Sequence, residues 1–228
     1  MLLIMALLCC VTLCLDSLAA NPPAKLGLNE IKQSGPGLGL TAPAANPPAK
    51  AMAAPESQGN ITGLKQDSGT PLSEMNITFA VSPTYGSAQT VEFTAPKPGW
   101  KLESILIMAT DGWNASLKQL PNPLPFAIEI RDSNLRLLYH FADAQLPYFT
   151  SSIGIRMANI EVPDLPLDGN FFVCFYGYRS LGLAAELENA TGKSYFFDKL
   201  TGQLYSGVLT TRNNQTTPVN WLIRVIGQ

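Results

Sequence analysis

From Asn76 onward the chain alternates. In "FAIEIRD", Phe126, Ile128 and Ile130 fall on one side and Glu129 and Arg131 on the other. In "LRLLYHF", Leu135, Leu137, Tyr139 and Phe141 share a face. A period of two marks a strand with one buried side. Asp132, Ser133 and Asn134 between these runs are turn formers, so the pair predicts a hairpin. "LGLAAEL" alternates through Leu181, Leu183, Ala185 and Leu187, and "NWLIRVIG" turns Trp221, Ile223 and Val225 inward with Arg224 outward. "NFFVCFYGY" is apolar on both sides, which predicts a central strand covered on each face. Proline and glycine punctuate the gaps, in "TAPKPG", "LPNPLP", "VPDLPLDG" and "TTP". No long stretch carries a helical period, and "LAAELENATG" is the best short candidate for a helix. The reading is all-β: a jelly-roll-type β-sandwich of about eight to ten strands spanning residues 76–228.

Upstream the alternation stops. Residues 21–75 are rich in Pro, Ala and Gly and short of large side chains. Such a segment cannot bury enough apolar surface to offset the entropy of ordering it, and reads as a flexible linker. "ANPPAK" at Ala20–Lys25 recurs at Ala45–Lys50, consistent with a duplicated linker segment. Leu2–Leu15 is uncharged and apolar apart from Thr12. It is shorter than the roughly 20 residues of a membrane span. With small residues following at Ser17, Ala19 and Ala20, residues 1–20 read as a signal peptide. Its removal takes Cys9, Cys10 and Cys14 with it, leaves Cys174 alone, and leaves no transmembrane segment in the mature chain. The expected location is secreted or cell surface.

The chain has 228 residues, a formal net charge of -2, and only 14% charged residues. That balance offers no electrostatic case for nucleic acid or for an anionic membrane surface. Low charge asks the surface to rely on neutral polar side chains, attached glycans or self-association. Five N-x-S/T sequons support the glycan reading: Asn60, Asn76, Asn114, Asn189 and Asn214.

No nucleophile elbow, zinc-protease motif or phosphate loop is present. His140 is the single histidine and falls in a predicted strand, so a catalytic triad or a zinc site would have to be built around it alone. Glycosidases use two carboxylates. Asp111, Asp132, Asp143, Asp164 and Asp168 lie in or near predicted loops, where aspartate is a common turn former. Asp111, in "TDGWN", and Asp164 and Asp168, in "DLPLDG", are weak calcium candidates. No catalytic residue and no cofactor are expected.

Among the aromatics, Trp100, Trp221 and Phe171–Phe175 sit in core patterns. Trp113 lies in the polar loop "TDGWNAS". Its ring either stacks on the C–H face of a sugar or folds back as a lid over the core. Tyr148 and Tyr178, at predicted strand ends, are its companions as ligand-binding candidates.

"TVEFTAPKPGWKLESILI", "PFAIEIRDSNLRLLYHF", "VPDLPLDGNFFVCFYGYRSLGL" and "NWLIRV" together resemble an uncharacterised family of secreted β-sandwich proteins in methanogenic archaea. The resemblance covers most of Thr90–Val225 and implies a cell-surface setting, with no activity attached. The expected function is an extracellular, non-catalytic binding module for carbohydrate or another cell-surface component. A self-associating subunit of a surface layer, sheath or filament is the alternative, and a glycoside-active enzyme comes third.

Overall fold

A computed structural model describes residues 60–210 and 214–228. The segments read as signal peptide and, as far as residue 59, as linker lie outside the described residues. Everything described is strand, turn or irregular; among the described residues there is no helix, hence none long and apolar enough to cross a membrane.

Fifteen strands are present among the described residues, more than the pattern predicts, because several are short and lie at sheet edges. A six-stranded antiparallel sheet has the order β11(Gln203–Ser206), β10(Ser194–Asp198), β3(Ser87–Thr94), β8(Asn170–Tyr176), β5(Pro125–Asp132), β6(Leu137–Ala144). A seven-stranded sheet is built around β4(Trp100–Thr110), which pairs with β15(Ile223–Gly227), β7(Met157–Leu167) and β9(Gly182–Glu186). Its outer members are β1(Thr62–Lys65) on β15, and β2(Ile77–Ala80) and β14(Asn220–Trp221) on β9. β12(Val208–Thr210) and β13(Thr216–Pro218) form a separate hairpin.

The main core draws on both sheets. Val91, Phe93, Phe126, Ile128, Ile130, Phe171, Val173 and Phe175 come from the first sheet. Trp100, Leu102, Ile105, Ile107, Ile160, Leu183, Trp221, Ile223 and Val225 come from the second. These are the apolar positions of the alternating runs. At about 25 cal/mol per Å² of apolar surface, their burial is the main favourable term in folding. As the both-faces-apolar pattern predicts, β8 is interior to its sheet, and Phe172, Cys174 and Tyr176 are buried in a second cluster on the sheet's outer face.

Three expectations are corrected. "LAAELENATG" is not helical: β9 has neighbours on both faces, the core on one and Met108, Leu222, Leu72, Met75, Ile77 and Phe79 around Ala184 on the other. Tertiary burial overrides the helix preference of Ala, Leu and Glu. The β5–β6 hairpin forms, but a register shift between Ile130 and Arg131 breaks the predicted face of β6. Tyr139 and Phe141 pack on the main core, Leu135 packs on the outer cluster, and Leu137 is exposed. The head also begins before Asn76. β1 pairs with β15 from Thr62↔Gly227 to Lys65↔Arg224, and Asp67 forms a bidentate ion pair with Arg224 at 2.7 and 2.9 Å. Composition concealed this, because β1 is only four residues long and lies at an edge.

The registers sort the connections into two ends. Thr62 pairs with Gly227, Gly227 with Leu102, and Trp100 with Leu167. Asn60 and Gln228 therefore lie at one end, the tether end, with the β3–β4, β5–β6, β7–β8 and β9–β10 turns. Pro125 pairs with Ala144, Ala127 with Tyr176, Thr110 with Gly182, and Ser87 with Asp198. The opposite end, the loop end, accordingly carries the connections 81–86, 111–124, 145–156, 177–181 and 199–202.

Candidate functional site

All three ligand-binding candidates occupy the loop end: Trp113 in 111–124, Tyr148 in 145–156 and Tyr178 in 177–181. The same five loops hold Val81, Tyr85, Leu117, Leu120, Ile153 and Leu200, six of the ten large hydrophobic side chains exposed among the described residues. Exposed apolar side chains scattered singly are ordinary, whereas several gathered at one end mark an interaction surface.

Asp111 fixes the longest of these loops. Its carboxylate accepts hydrogen bonds from the Trp113 amide at 2.9 Å and from the Thr150 hydroxyl. Gln145, fully buried, donates to the Asn122 carbonyl at 3.1 Å. The 111–124 and 145–156 loops are thus tied together. Trp113 is half-buried, and its indole N–H donates to the Gln119 carbonyl at 3.0 Å inside its own loop. It belongs to neither the main core nor the outer cluster. It lines an open cleft with Leu117, Leu120, Pro121 and Asn122.

Tyr178 sits in a tight β8–β9 turn, where Ser180 and Leu181 donate to the Gly177 carbonyl. A Cβ on Gly177 would lie 2.7 Å from the Leu181 carbonyl oxygen, so the turn requires glycine. Tyr178 and Arg179 both take left-handed backbone angles, with φ of 46° and 63°. That geometry lays Tyr178 between two rings: Tyr85 at 4.8 Å and Tyr176 at 6.1 Å between centroids. Tyr85, 64% exposed, ends the stack. Tyr148 is more deeply engaged. Its ring packs edge-on against Phe126 and Phe141, and its hydroxyl donates to Asp143 at 3.2 Å. Burial and the Asp143 carboxylate raise its pKa.

Beneath the tyrosine stack, the outer face of the six-stranded sheet carries a charged cluster. Glu129 is 1% exposed. Its carboxylate accepts from Arg131 at 2.6 and 2.9 Å, from Lys199 at 2.8 Å, and from the Tyr176 hydroxyl at 2.8 Å. Burial pushes the Glu129 carboxyl up, but the hydrogen bonds from Lys199, Arg131 and Tyr176 outweigh it and hold the carboxyl below its ordinary value. Burial pushes the Tyr176 hydroxyl well up. Glu129 is therefore anionic and fully engaged, with none of the raised pKa that suits a general acid. Cys174 pairs with Glu129 across the strands and is wholly buried; its thiol is pushed up to about 12, mainly by burial, which leaves it inert as a nucleophile near neutral pH.

The remaining candidates are dispersed. Asp164 and Asp168 lie toward the tether end, where Asp164 faces Lys101 at 3.8 Å and Asp168 accepts from the Gly99 amide at 2.6 Å. Asp111 is at the opposite end, so the three calcium candidates do not converge. Among the described residues no three His, Cys, Asp or Glu side chains come together as a metal site. His140 is exposed on the edge strand β6, cross-strand from Glu129. Of the sequons, Asn60, Asn76 and Asn189 are exposed at the tether end and Asn214 is exposed between β12 and β13. Only Asn114 is at the loop end, and its side-chain Oδ1 accepts from the Ser116 amide at 2.9 Å.

The sequence pattern missed Tyr85, Leu117, Leu120, Ile153 and Leu200. The available signal was a large apolar residue inside a Pro/Gly-bounded loop, as in "VSPTYG". No protein-family model, curated protein or solved structure matches the chain.

Proposed function

We propose that this chain is an extracellular, non-catalytic binding module whose sandwich is of jelly-roll type. It is carried on its N-terminal linker and recognises carbohydrate or another cell-surface component through the loop end. One observation carries this reading: the half-exposed and exposed aromatics Trp113, Tyr178 and Tyr85 gather at the end opposite Asn60, where the linker joins. A tyrosine stack with one open ring face, and a tryptophan lining a cleft, offer flat apolar surfaces for the C–H face of a sugar. The sequons at the tether end would carry glycans away from that surface. The resemblance noted above supports a cell-surface setting, in an archaeon. A glycan array probed with the wild-type chain and with Trp113→Ala, Tyr85→Ala and Tyr178→Ala tests the proposal. Binding weakened about fivefold or more by one of the three supports it; binding untouched by all three refutes it.

The self-associating subunit is favoured by a different feature. β6 is the edge of the six-stranded sheet, eight residues long, with Leu137 and Leu138 exposed. An open, partly apolar edge is a template for pairing with another chain. Sedimentation velocity separates the readings, since an open polymer abolished by Leu137→Lys would point to the subunit.

A further inference from the structure

The net charge of the whole chain conceals how the charges are distributed. The five loop-end connections contain Lys118, Arg156, Arg179 and Lys199, against a single acid, Asp111. Asp111 is occupied within the fold by Trp113 and Thr150, and Lys199 by Glu129. Lys118, Arg156 and Arg179 are exposed and, among the described residues, make no ion pair. The nearest other acids sit on the strand ends below and are also engaged: Asp143 accepts from Tyr148, and Asp198 caps the Leu200 amide at 2.8 Å. In the tether-end turns the charges are mixed, with Lys97, Arg136 and Lys193 beside Asp168 and Glu188, and two of those three cations are paired, Arg136 with Asp132 and Lys193 with Glu92.

Within this cationic rim stand the apolar tips. Leu200 is 90% exposed, Ile153 71% and Leu120 67%, with Leu117, Val81 and Tyr85 beside them on neighbouring loops. Trp113, Tyr148 and Tyr178 lie deeper, each half-buried. Aliphatic tips outermost, amphipathic aromatics behind them and lysine or arginine around the rim match the order of a bilayer from acyl chains to anionic headgroups. A sugar alone gives no reason for exposed leucine and isoleucine on separate loops. A second copy of the same end would set like charges against each other.

We propose that the loop end docks on a lipid surface bearing anionic headgroups, with Leu117, Leu120, Ile153 and Leu200 entering the interface and Lys118, Arg156 and Arg179 contacting the headgroups. This rests on the loop end being the binding end and names its partner class. Asn60 and Gln228 lie at the opposite end.

The test is flotation of the whole secreted chain, made in a host that adds no glycans, with vesicles of phosphatidylcholine alone or containing phosphatidylglycerol. The chain should float with the anionic vesicles only, and less so as salt rises. The triple variant Lys118→Gln/Arg156→Gln/Arg179→Gln should lose about fivefold in partition for each cation removed. Leu117→Ser/Leu120→Ser/Ile153→Ser should lose binding while keeping its melting temperature, because these side chains are already in water. A tether-end control, Ile61→Ser/Lys97→Gln, should bind as wild type.

Failure to float with anionic vesicles, or equal flotation with neutral ones, overturns the lipid proposal. If the glycan array still shows loss on Trp113→Ala, the loop-end reading survives that failure. Flotation lost in the tether-end control and kept in both loop-end triples overturns both. A concentration-dependent dimer dispersed by the Leu117→Ser/Leu120→Ser/Ile153→Ser variant would assign the surface to a second copy and overturn the lipid proposal.

Discussion

In the β1–β2 and β9–β10 connections, the polar groups and the strand residues beside them satisfy one another. Asp67 holds Arg224, and Glu186 accepts from the Ser68 amide and from Asn220, each at 2.9 Å. Asn220 in turn donates to the Asn189 carbonyl and accepts from the Thr191 amide. Asp67, Glu186 and Asn220 are buried, and each has its partner within the fold. At the loop end, polar fixtures such as Asp111 and Gln145 set loop shape, but the tips point Leu, Ile, Tyr and cationic side chains into water. Folding asks nothing of Leu200 or Ile153 where they stand. The contrast teaches that one region is used up by stability and the loop end is left over from it, and surplus apolar surface is where a binding function has room to reside.

The largest expected effect lies in the engaged part of the molecule. Asp67→Ala leaves Arg224 without its bidentate partner. It should cost about 3 kcal/mol of stability, measured by denaturant unfolding. A loss under about 0.5 kcal/mol would show that this region is no more committed to stability than the loop end.

Glu129 gives a second test with a pH sign. Its folded pKa lies below the ordinary carboxylate value, so the folded state binds fewer protons than the unfolded chain. The stability it contributes is complete above the unfolded value of about 4.3 and falls away as pH drops through the lower folded value. Melting temperature should therefore fall on acidification below about pH 4, and Glu129→Gln should be destabilised at neutral pH and show a shallower acid limb. An acid limb identical in the two proteins would contradict the placement of Glu129 under Lys199, Arg131 and Tyr176.

Trp113→Ala should cost about 1 kcal/mol, the scale of its one hydrogen bond to Gln119, by thermal melts. A loss of 3–5 kcal/mol would mean that Trp113 serves as a lid over the core. Smallest of all, Leu200→Ser should shift stability by no more than about 0.5 kcal/mol in either direction.

Much of this was legible in the sequence, for definite reasons. Period-two runs identified β5, β9 and β15, because a sandwich core reads every second residue, and a run apolar on both sides identified β8. Trp100 and Trp221 were recognisable as core for the same reason. β1 was hidden because a four-residue edge strand in a Pro- and Gly-rich context carries almost no periodicity. The Glu129 cluster was hidden because alternation marks Glu129 and Arg131 as the polar side without revealing that Lys199, seventy positions later, closes over them. Trp113, Tyr148 and Tyr178 stood out as aromatics near turns. Their gathering at one end depends on strand direction in both sheets, and spacing along a chain does not encode that.

The central claim is that partners meet the loop end. Trp100 and Trp221 are buried in the core, so among the three tryptophans only Trp113 reports on that surface. Intrinsic tryptophan emission, followed while the whole chain is titrated with an array-positive glycan or with phosphatidylglycerol vesicles, tests the claim most directly. The account predicts a saturable change in emission that disappears in Trp113→Phe and persists in the tether-end control Ile61→Ser/Lys97→Gln. Saturable binding that leaves the emission unmoved, with Trp113→Phe binding and emitting in parallel with wild type, would contradict it.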